Sequence, residues 1–222
     1  NGVPFAKYWM HNAFLNINNK KMSKSEGNFF TVRDISQEYD LQVLRFFMLS
    51  AHYRNPINFS RELMESAKNG LDRIITSVSN LKHLLQSAKE SAITKEEQQR
   101  IDEINTFCDK FEQAMDDDFN TADAISAVFE LVKYANSNSS SDNTKEYIEH
   151  LLKRIIVLTD ILGLIVEQKE EILDSDIEAL ILQRQQARKE KNFARADEIR
   201  EELLSKNIVL EDTREGVRWK RI

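Results

Sequence analysis

The chain has few of the residues that form turns and disulfide bonds: its 222 residues include one cysteine, two prolines and five glycines. A single cysteine excludes a disulfide framework within the chain and favours a reducing compartment. Scarce proline and glycine predict long, uninterrupted helices. No apolar run approaches the roughly 18 residues of a membrane span, and no secretory leader pattern occurs. We therefore expect a helical protein of the cytoplasm, with no membrane partner.

Metal-ligand patterns are also scarce. The four histidines, at positions 11, 52, 83 and 150, lack the spacing of a zinc site, and Cys108 alone cannot build a thiolate-rich one. Because Cys108 falls on an apolar helical face, we interpret it as a small buried hydrophobe rather than a reactive thiol. No metal site is therefore predicted in this chain.

Charge is unevenly distributed. The net charge of −6 divides into +3 over residues 1–60, −9 over 61–172 and 0 over 173–222. Binding to nucleic acid phosphates requires local positive charge, so the acidic segment 61–172 is not expected to be the main contact with RNA. The basic residues near both ends remain candidates, although a charge run is often only a solvated face.

The most informative segment is Lys21-Met22-Ser23-Lys24-Ser25, followed by Glu26-Gly27-Asn28. It places two ammonium groups and two hydroxyls on a short loop that a glycine closes. Such donors stabilise the negative charge that develops on a transferring phosphoryl or adenylyl group. The alternative is a solvated basic turn.

This pentapeptide is similar at every position to the signature loop of class I aminoacyl-tRNA synthetases. Other segments resemble the cysteinyl-tRNA synthetase family rather than its leucine, methionine or arginine relatives: residues 8–12, 28–34, 44–47, 52–54, 116–121 and the tail over 184–219. The resemblance implies an enzyme that activates cysteine with ATP and Mg²⁺ and transfers it to tRNA(Cys). It implies that Lys21 and Lys24 are catalytic and that Lys21, Ser23, Lys24 and Ser25 contact the ATP phosphates.

The family also needs a His-Ile-Gly-His type signature and a zinc ion that binds the cysteine thiolate, and neither is found here. The sequence begins at Asn1, within a motif. We therefore expect the C-terminal part of a longer enzyme, with the zinc ligands elsewhere and no activity of this part alone.

Three parts are predicted, in a mainly α fold. Residues 1–60 form the end of a catalytic domain with the lysine loop and a connecting fold, 61–172 a helical bundle, and 173–222 a small α+β anticodon-binding domain. In the first part we expect a strand over residues 14–17, a capping box of Thr31 with Asp34, and a helix from about 40 to 51. Its core face is predicted at Leu41, Leu44, Phe47 and Met48.

The bundle is predicted from apolar residues at helical spacing. One helix carries Leu63 to Leu85, and a capping box of Thr94 with Glu97 opens a second, which continues to Met115. A third begins at Asn120-Thr121, and a fourth runs from Thr144 to Gly163. The acidic run 116–118 is interpreted as a helix end that charges the next N-terminus, with a metal site as the less favoured alternative.

The tail is predicted as two helices, from Asp174 or Ser175 to about Lys191 and from 194 to 206, with Phe193 packed at the turn between them. Strands at 208–210 and 217–219 follow, around a turn with Gly216. The resemblance implies anticodon recognition by this tail and places Arg54 against the inner corner of the tRNA. The tRNA-binding candidates are therefore Arg54, Arg184, Arg188, Arg195, Arg200, Arg218 and Trp219, with a buried or structural role as the alternative for Arg54. Trp219 is either a stacking platform for a base or the core tryptophan of this domain.

Two other functions stay open at this point. One is a related ATP-dependent ligase that joins cysteine to a small amino sugar, which has no reason to keep an anticodon-reading tail. The other is a non-catalytic tRNA-binding module, which has no reason to keep the lysine loop. Neither main nor alternative interpretation includes DNA as a partner.

Overall fold

A computed structural model describes residues 2, 4–167, 175–190, 192–206, 208–213 and 216–221. The chain divides into two compact units, Asn1–Gln168 and Lys169–Ile222. The division into 1–60, 61–172 and 173–222 remains a prediction. Within the described residues, none of the helices is long and apolar enough to cross a membrane.

The predicted mainly α fold is confirmed. The described residues form eight α-helices: α1 Val32–Ile35, α2 Leu41–Leu49, α3 Arg61–Ser87, α4 Lys95–Asp116, α5 Thr121–Asn138, α6 Lys145–Ile161, α7 Ser175–Lys189 and α8 Phe193–Ser205. The strands are β1 Leu15–Ile17, β2 Lys20–Lys21, β3 Ile57–Phe59, β4 Ile208–Thr213 and β5 Gly216–Arg221.

The first unit begins with a small sheet in the order β2-β1-β3. Strands β1 and β2 are antiparallel and joined by Asn18 and Asn19, which have φ values of 49° and 62°. Two consecutive left-handed residues are what a tight two-residue hairpin requires, and asparagine tolerates them. Strand β3 pairs in parallel with β1, from Leu15 opposite Ile57 to Ile17 opposite Phe59. The lysine loop therefore begins at the end of this hairpin.

Three predicted helix starts in the first unit are confirmed. Thr31 and Asp34 form a capping box at α1, and Thr94 and Glu97 form another at α4. Asn120 caps α5, and its side chain accepts a hydrogen bond from the Asp123 backbone N–H. Each cap satisfies a backbone donor that the helix itself cannot pair.

Helices α2 to α6 enclose one core, but two predicted core residues on α2 are wrong. Leu41 and Met48 are nearly half exposed, whereas Val43, Phe46 and Phe47 are buried. Helix α2 packs against both α3 and α5, and these two contacts select a face rotated from the predicted one. Leu63 on α3 is also exposed, because it lines an open cavity of about 670 Å³ between α2, β3, α3 and α5.

One buried carboxylate joins the starts of α4 and α6. Glu97 accepts hydrogen bonds from the backbone N–H and hydroxyl of Thr94, at 3.0 and 3.1 Å, and from those of Thr144, at 2.9 and 3.0 Å. The Asn143 side-chain amide donates a further bond at 3.1 Å. Burial raises the pKa of Glu97, but these donors outweigh it and lower that pKa from 4.5 to about 2.

The second unit is a helix pair with a hairpin. Strands β4 and β5 are antiparallel, with Leu210 opposite Trp219 and Thr213 opposite Gly216, so Gly216 lies in a strand rather than in the turn. The core contains five buried aliphatic residues: Ile177, Ile199, Leu203, Ile208 and Leu210. The predicted packing of Phe193 is wrong: it is the first residue of α8 and is 61% exposed. The predicted cap Asp174 and the helix end at Lys191 lie outside the described residues.

Candidate functional site

The lysine loop is closed by one asparagine side chain. Asn28 donates from Nδ2 to the Lys21 carbonyl oxygen at 3.1 Å, and its Oδ1 accepts from the Ser23 backbone N–H at 2.8 Å. These two bonds connect the end of β2 to the far side of the loop. These bonds hold a short segment with polar side chains in one conformation. The sequence did not indicate this role for Asn28.

Within this frame, residues Lys24–Glu26 form a single 3₁₀ turn. The Ser23 side chain accepts from the Ser25 backbone N–H at 3.3 Å, and the two serine hydroxyl oxygens are 2.7 Å apart. Gly27 ends the turn with φ of 67°, and its N–H donates to the Lys24 carbonyl at 3.3 Å. A Cβ at Gly27 would meet nothing within 4 Å, so the glycine is required by its left-handed backbone and not by space.

Both loop lysines are exposed and lie over aromatic rings. Lys21 Nζ is 5.4 Å from the centroid of Phe14, and Lys24 Nζ is 5.2 Å from the centroid of Phe29. Between them, Met22 packs against the core of the first unit. The loop therefore presents two ammonium groups and two hydroxyls to solvent on an anchored base, a donor set that suits phosphate oxygens.

Arg54 is already engaged with a carboxylate. Its Nε lies 2.6 Å from Oδ2 of Asp118 and also donates to the Tyr53 hydroxyl at 2.9 Å. The Tyr53 hydroxyl donates to Oδ1 of Asp118 at 2.8 Å, and His52 stacks on the Tyr53 ring at 4.8 Å. These bonds, that from Tyr53 foremost and then those from Arg54, lower the pKa of Asp118. An RNA phosphate at the exposed guanidinium would compete with Asp118.

The acidic run 116–118 therefore does more than the sequence indicated. Asp116 ends α4 as predicted, but Asp118 has φ of 57° and reaches the segment after α2. No sequence signal pairs Asp118 with Arg54, because 64 positions separate them. Among the described residues, no group of three or more His, Cys, Asp or Glu is placed to hold a metal ion.

Cys108 is half-buried and packs against the core of the first unit. Burial raises the pKa of its thiol. The thiol is therefore mostly protonated at neutral pH, as expected for a small hydrophobe.

The candidate RNA-binding residues of the second unit differ in their solvent exposure. Arg188 on α7 and Arg195 and Arg200 on α8 are exposed, and Arg195 forms an ion pair with Glu198 at 3.0 Å. Arg184 is 5% exposed, so its position in α7 does not favour contact with a phosphate. Trp219 is half-buried against the core of this unit, and the side chain of Arg218 lies outside the described part of the chain.

Three family models match the chain. Residues 1–69 match the class I (C) tRNA synthetase catalytic domain, residues 110–167 match the DALR domain, and residues 171–219 match the cysteinyl-tRNA ligase anticodon-binding domain. Together with the lysine loop, these matches assign the chain to the class I aminoacyl-tRNA synthetases.

Similar curated proteins narrow the class. The chain is 75% identical to a cysteine–tRNA ligase of Lachnospira eligens, over 100% of this chain and 47% of that protein. It is 57% identical to the corresponding ligase of Lachnoclostridium phytofermentans and 52% identical to that of Clostridioides difficile, over 99% and 100% of this chain and 48% of each relative. The chain belongs to the cysteine–tRNA ligase family. It spans about half the length of these relatives.

Proposed function

We propose that the enzyme to which this chain belongs activates cysteine with ATP and transfers it to tRNA(Cys). The observation that carries the proposal is the closed loop over residues 21–28, which exposes Lys21 and Lys24 within a chain that resembles cysteine–tRNA ligases along its whole length. The amino-sugar ligase and the non-catalytic module are not favoured, because the anticodon-binding match and the intact loop occur together.

The loop contributes the positive charge for the nucleotide. Lys21 and Lys24 stabilise the ATP phosphates as negative charge develops, and the hydroxyls of Ser23 and Ser25 supply further donors. Mg²⁺ accompanies ATP and neutralises part of the phosphate charge. Zinc belongs to the proposal for the whole enzyme, with its ligands outside this chain.

The second unit contributes contacts to tRNA. Arg188, Arg195 and Arg200 are exposed cations on two adjacent helices, and Trp219 lies on the hairpin beside them. Arginine binds phosphate, and an indole ring can stack on an unpaired anticodon base. Arg54 adds a phosphate contact in the first unit, in competition with Asp118. We place the enzyme in the cytoplasm.

The test uses the whole ligase. Purified enzyme is assayed for cysteine-dependent exchange between pyrophosphate and ATP, and for transfer of labelled cysteine to tRNA(Cys) or to a small amino sugar. We expect exchange and labelled tRNA. Exchange with label only on the amino sugar would favour the related ligase, and tRNA binding without exchange would favour the non-catalytic module.

A further inference from the structure

Two aromatic rings, those of Phe14 and Phe29, lie beside the loop lysines. Phe14 is 70% exposed and Phe29 is 45% exposed. In each case a lysine of the loop lies over the face of the ring, at 5.4 Å for Lys21 and 5.2 Å for Lys24.

Both rings stand on backbone that is anchored. The Phe14 carbonyl accepts a hydrogen bond from the Ile57 N–H at 3.1 Å, which connects it to β3. Phe29 lies between Asn28, which closes the loop, and Phe30, whose ring is 4.7 Å from that of Phe59. Phe30 therefore turns into the core while Phe29 turns towards the loop. The backbone that carries each outward ring is thereby held beside the loop.

We propose that Phe14 and Phe29 are positioning residues that hold the ammonium groups of Lys21 and Lys24 in place for the nucleotide phosphates. This inference rests on the proposed function. An aromatic face attracts a cation through its quadrupole. An ammonium group has three N–H donors, so those directed away from the ring remain available to phosphate oxygens. The lysine therefore does not have to leave the ring when ATP binds.

The contact with the ring would reduce the side-chain entropy that the lysine loses when the nucleotide binds. A free lysine side chain loses rotamer entropy when it is fixed on a ligand. A ring that restricts the side chain beforehand lowers this loss at the moment of binding. An exposed cation–π contact changes an equilibrium by about two- to fivefold, so the expected effect is modest and measurable.

The kinetic test uses the whole ligase and the rate of cysteine-dependent exchange. Phe29→Leu should lower kcat/KM for ATP by about two- to fivefold, while Phe29→Tyr, which keeps a π face, should retain the rate. Phe14→Leu and Phe14→Tyr should behave in the same way. Phe193→Leu is the matched control, because this exposed ring lies in the second unit, and it should leave exchange unchanged.

A double-mutant cycle distinguishes positioning from a structural role. In a Lys24→Ala background, Phe29→Leu should cause no further loss, because the ring then has no ammonium group to hold. A structural role would instead lower the thermal midpoint and the rate in either background. Equal rates for the leucine and tyrosine variants, a faster leucine variant, or additive losses would overturn the proposal.

A spectroscopic measurement separates this proposal from the proposed function. In the 222-residue chain with ¹³C-labelled lysine, the Hε resonances of Lys21 and Lys24 should show ring-current shifts that Phe14→Leu and Phe29→Leu remove, respectively. If the ligase catalyses no exchange while these shifts are present, the proposed function fails and the lysine–ring contact remains. If exchange occurs but the shifts are absent, the positioning role is wrong.

Discussion

At the scale of residues, a few side chains decide what the first unit presents to solvent. Asn28 closes the lysine loop with two hydrogen bonds, and Gly27 supplies the backbone conformation that ends its 3₁₀ turn. These residues hold the backbone of the loop in place, while the side chains of Lys21 and Lys24 remain exposed. Glu97 plays the corresponding part for the bundle, as the shared acceptor at two helix starts.

The role of Lys24 can be measured in the whole ligase. Lys24→Ala should slow cysteine activation by roughly two to three orders of magnitude, the scale for losing one donor to developing charge. Cysteine affinity should change little, because the interaction forms in the transition state. Exchange kinetics give both quantities. Lys20→Ala, which removes an exposed ammonium group from β2 outside the motif, is the control. Equal losses in cysteine binding and in rate would assign Lys24 a structural role.

The buried carboxylate predicts how stability depends on pH. The pKa of Glu97 is lowered from 4.5 to about 2, so its stabilisation is fully present above about pH 4.5 and is lost as pH falls towards 2. A shift of this size corresponds to about 3 kcal/mol. Urea unfolding of the 222-residue chain between pH 7 and pH 2.5 should show this loss in the free energy of unfolding.

Glu97→Gln tests the assignment. At pH 7 this variant should be less stable by about 2 kcal/mol, because its single amide nitrogen replaces one carboxylate oxygen and places a donor against the N–H of either Thr94 or Thr144. Its stability should also vary less between pH 4.5 and 2. Glu96→Gln, in the same turn but exposed, should behave like the unchanged chain. A pH dependence unaffected by Glu97→Gln would refute the assignment.

At the scale of elements, the second unit combines a small core with a polar outer face. Helices α7 and α8 pack against each other, and α8 packs against β4. Five buried aliphatic residues form the core, and Trp219 packs against it from β5. A half-buried indole can stabilise the hairpin and still offer part of its ring, so the two interpretations of Trp219 are compatible.

Trp219 therefore needs two substitutions. Trp219→Ala should weaken tRNA binding by about 1 to 3 kcal/mol, the range for one stacked base, and it should also lower the thermal midpoint. Trp219→Leu keeps apolar volume at the core, so it should weaken binding similarly with a smaller loss of stability. Val217→Ala, two residues earlier and half-buried, is the packing control. If Trp219→Leu leaves discrimination between cognate and anticodon-altered tRNA unchanged, the residue is only part of the core.

The exposed arginines of α7 and α8 predict a change in salt dependence. Arg188→Ala and Arg200→Ala should each reduce the slope of log K against log salt by about 0.7, the value for one phosphate contact on a single strand. Filter binding across a salt series measures the slope. Arg61→Ala, which removes an exposed cation paired with Glu38 in the first unit, should leave it unchanged. Unchanged slopes in both helix variants would remove these arginines from the interface.

At the scale of the whole molecule, the chain contains two compact units, and the family matches extend across both. The first unit holds the lysine loop and the second holds the anticodon-binding match. The chain nevertheless spans about half of its curated relatives. We propose that its lysines stabilise charge on a nucleotide, and we expect the residues that hold cysteine elsewhere in the enzyme.

The 222-residue chain alone should therefore show no cysteine-dependent exchange between pyrophosphate and ATP. The physical reason is that exchange needs the amino acid and ATP positioned together, and donors for one phosphate group do not achieve this. The same assay on the whole ligase serves as the positive control. Exchange by the isolated chain above a blank without enzyme would contradict the expectation.

Local features of this protein follow from the sequence alone, because neighbouring residues determine them. The capping boxes at Thr31 and Thr94, the helix start at Asn120 and the strand before Asn18 depend on short-range hydrogen bonds and periodicity, and the structure confirms them. The lysine loop was recognisable because its five residues are consecutive. Its chemical role remains a prediction that the proposed experiments address.

Only the tertiary structure decided which residues meet across long separations. The Arg54–Asp118 pair, the sharing of Glu97 between α4 and α6, and the buried face of α2 all depend on how helices pack. Helical periodicity limits the buried face of a helix to a few adjacent positions. The elements that pack against the helix decide which of these positions are buried, and for this reason Leu41 and Met48 were wrongly assigned to the core. Side chains 40 or more positions apart leave no local pattern, because their contact arises from the packed core and not from the chain between them.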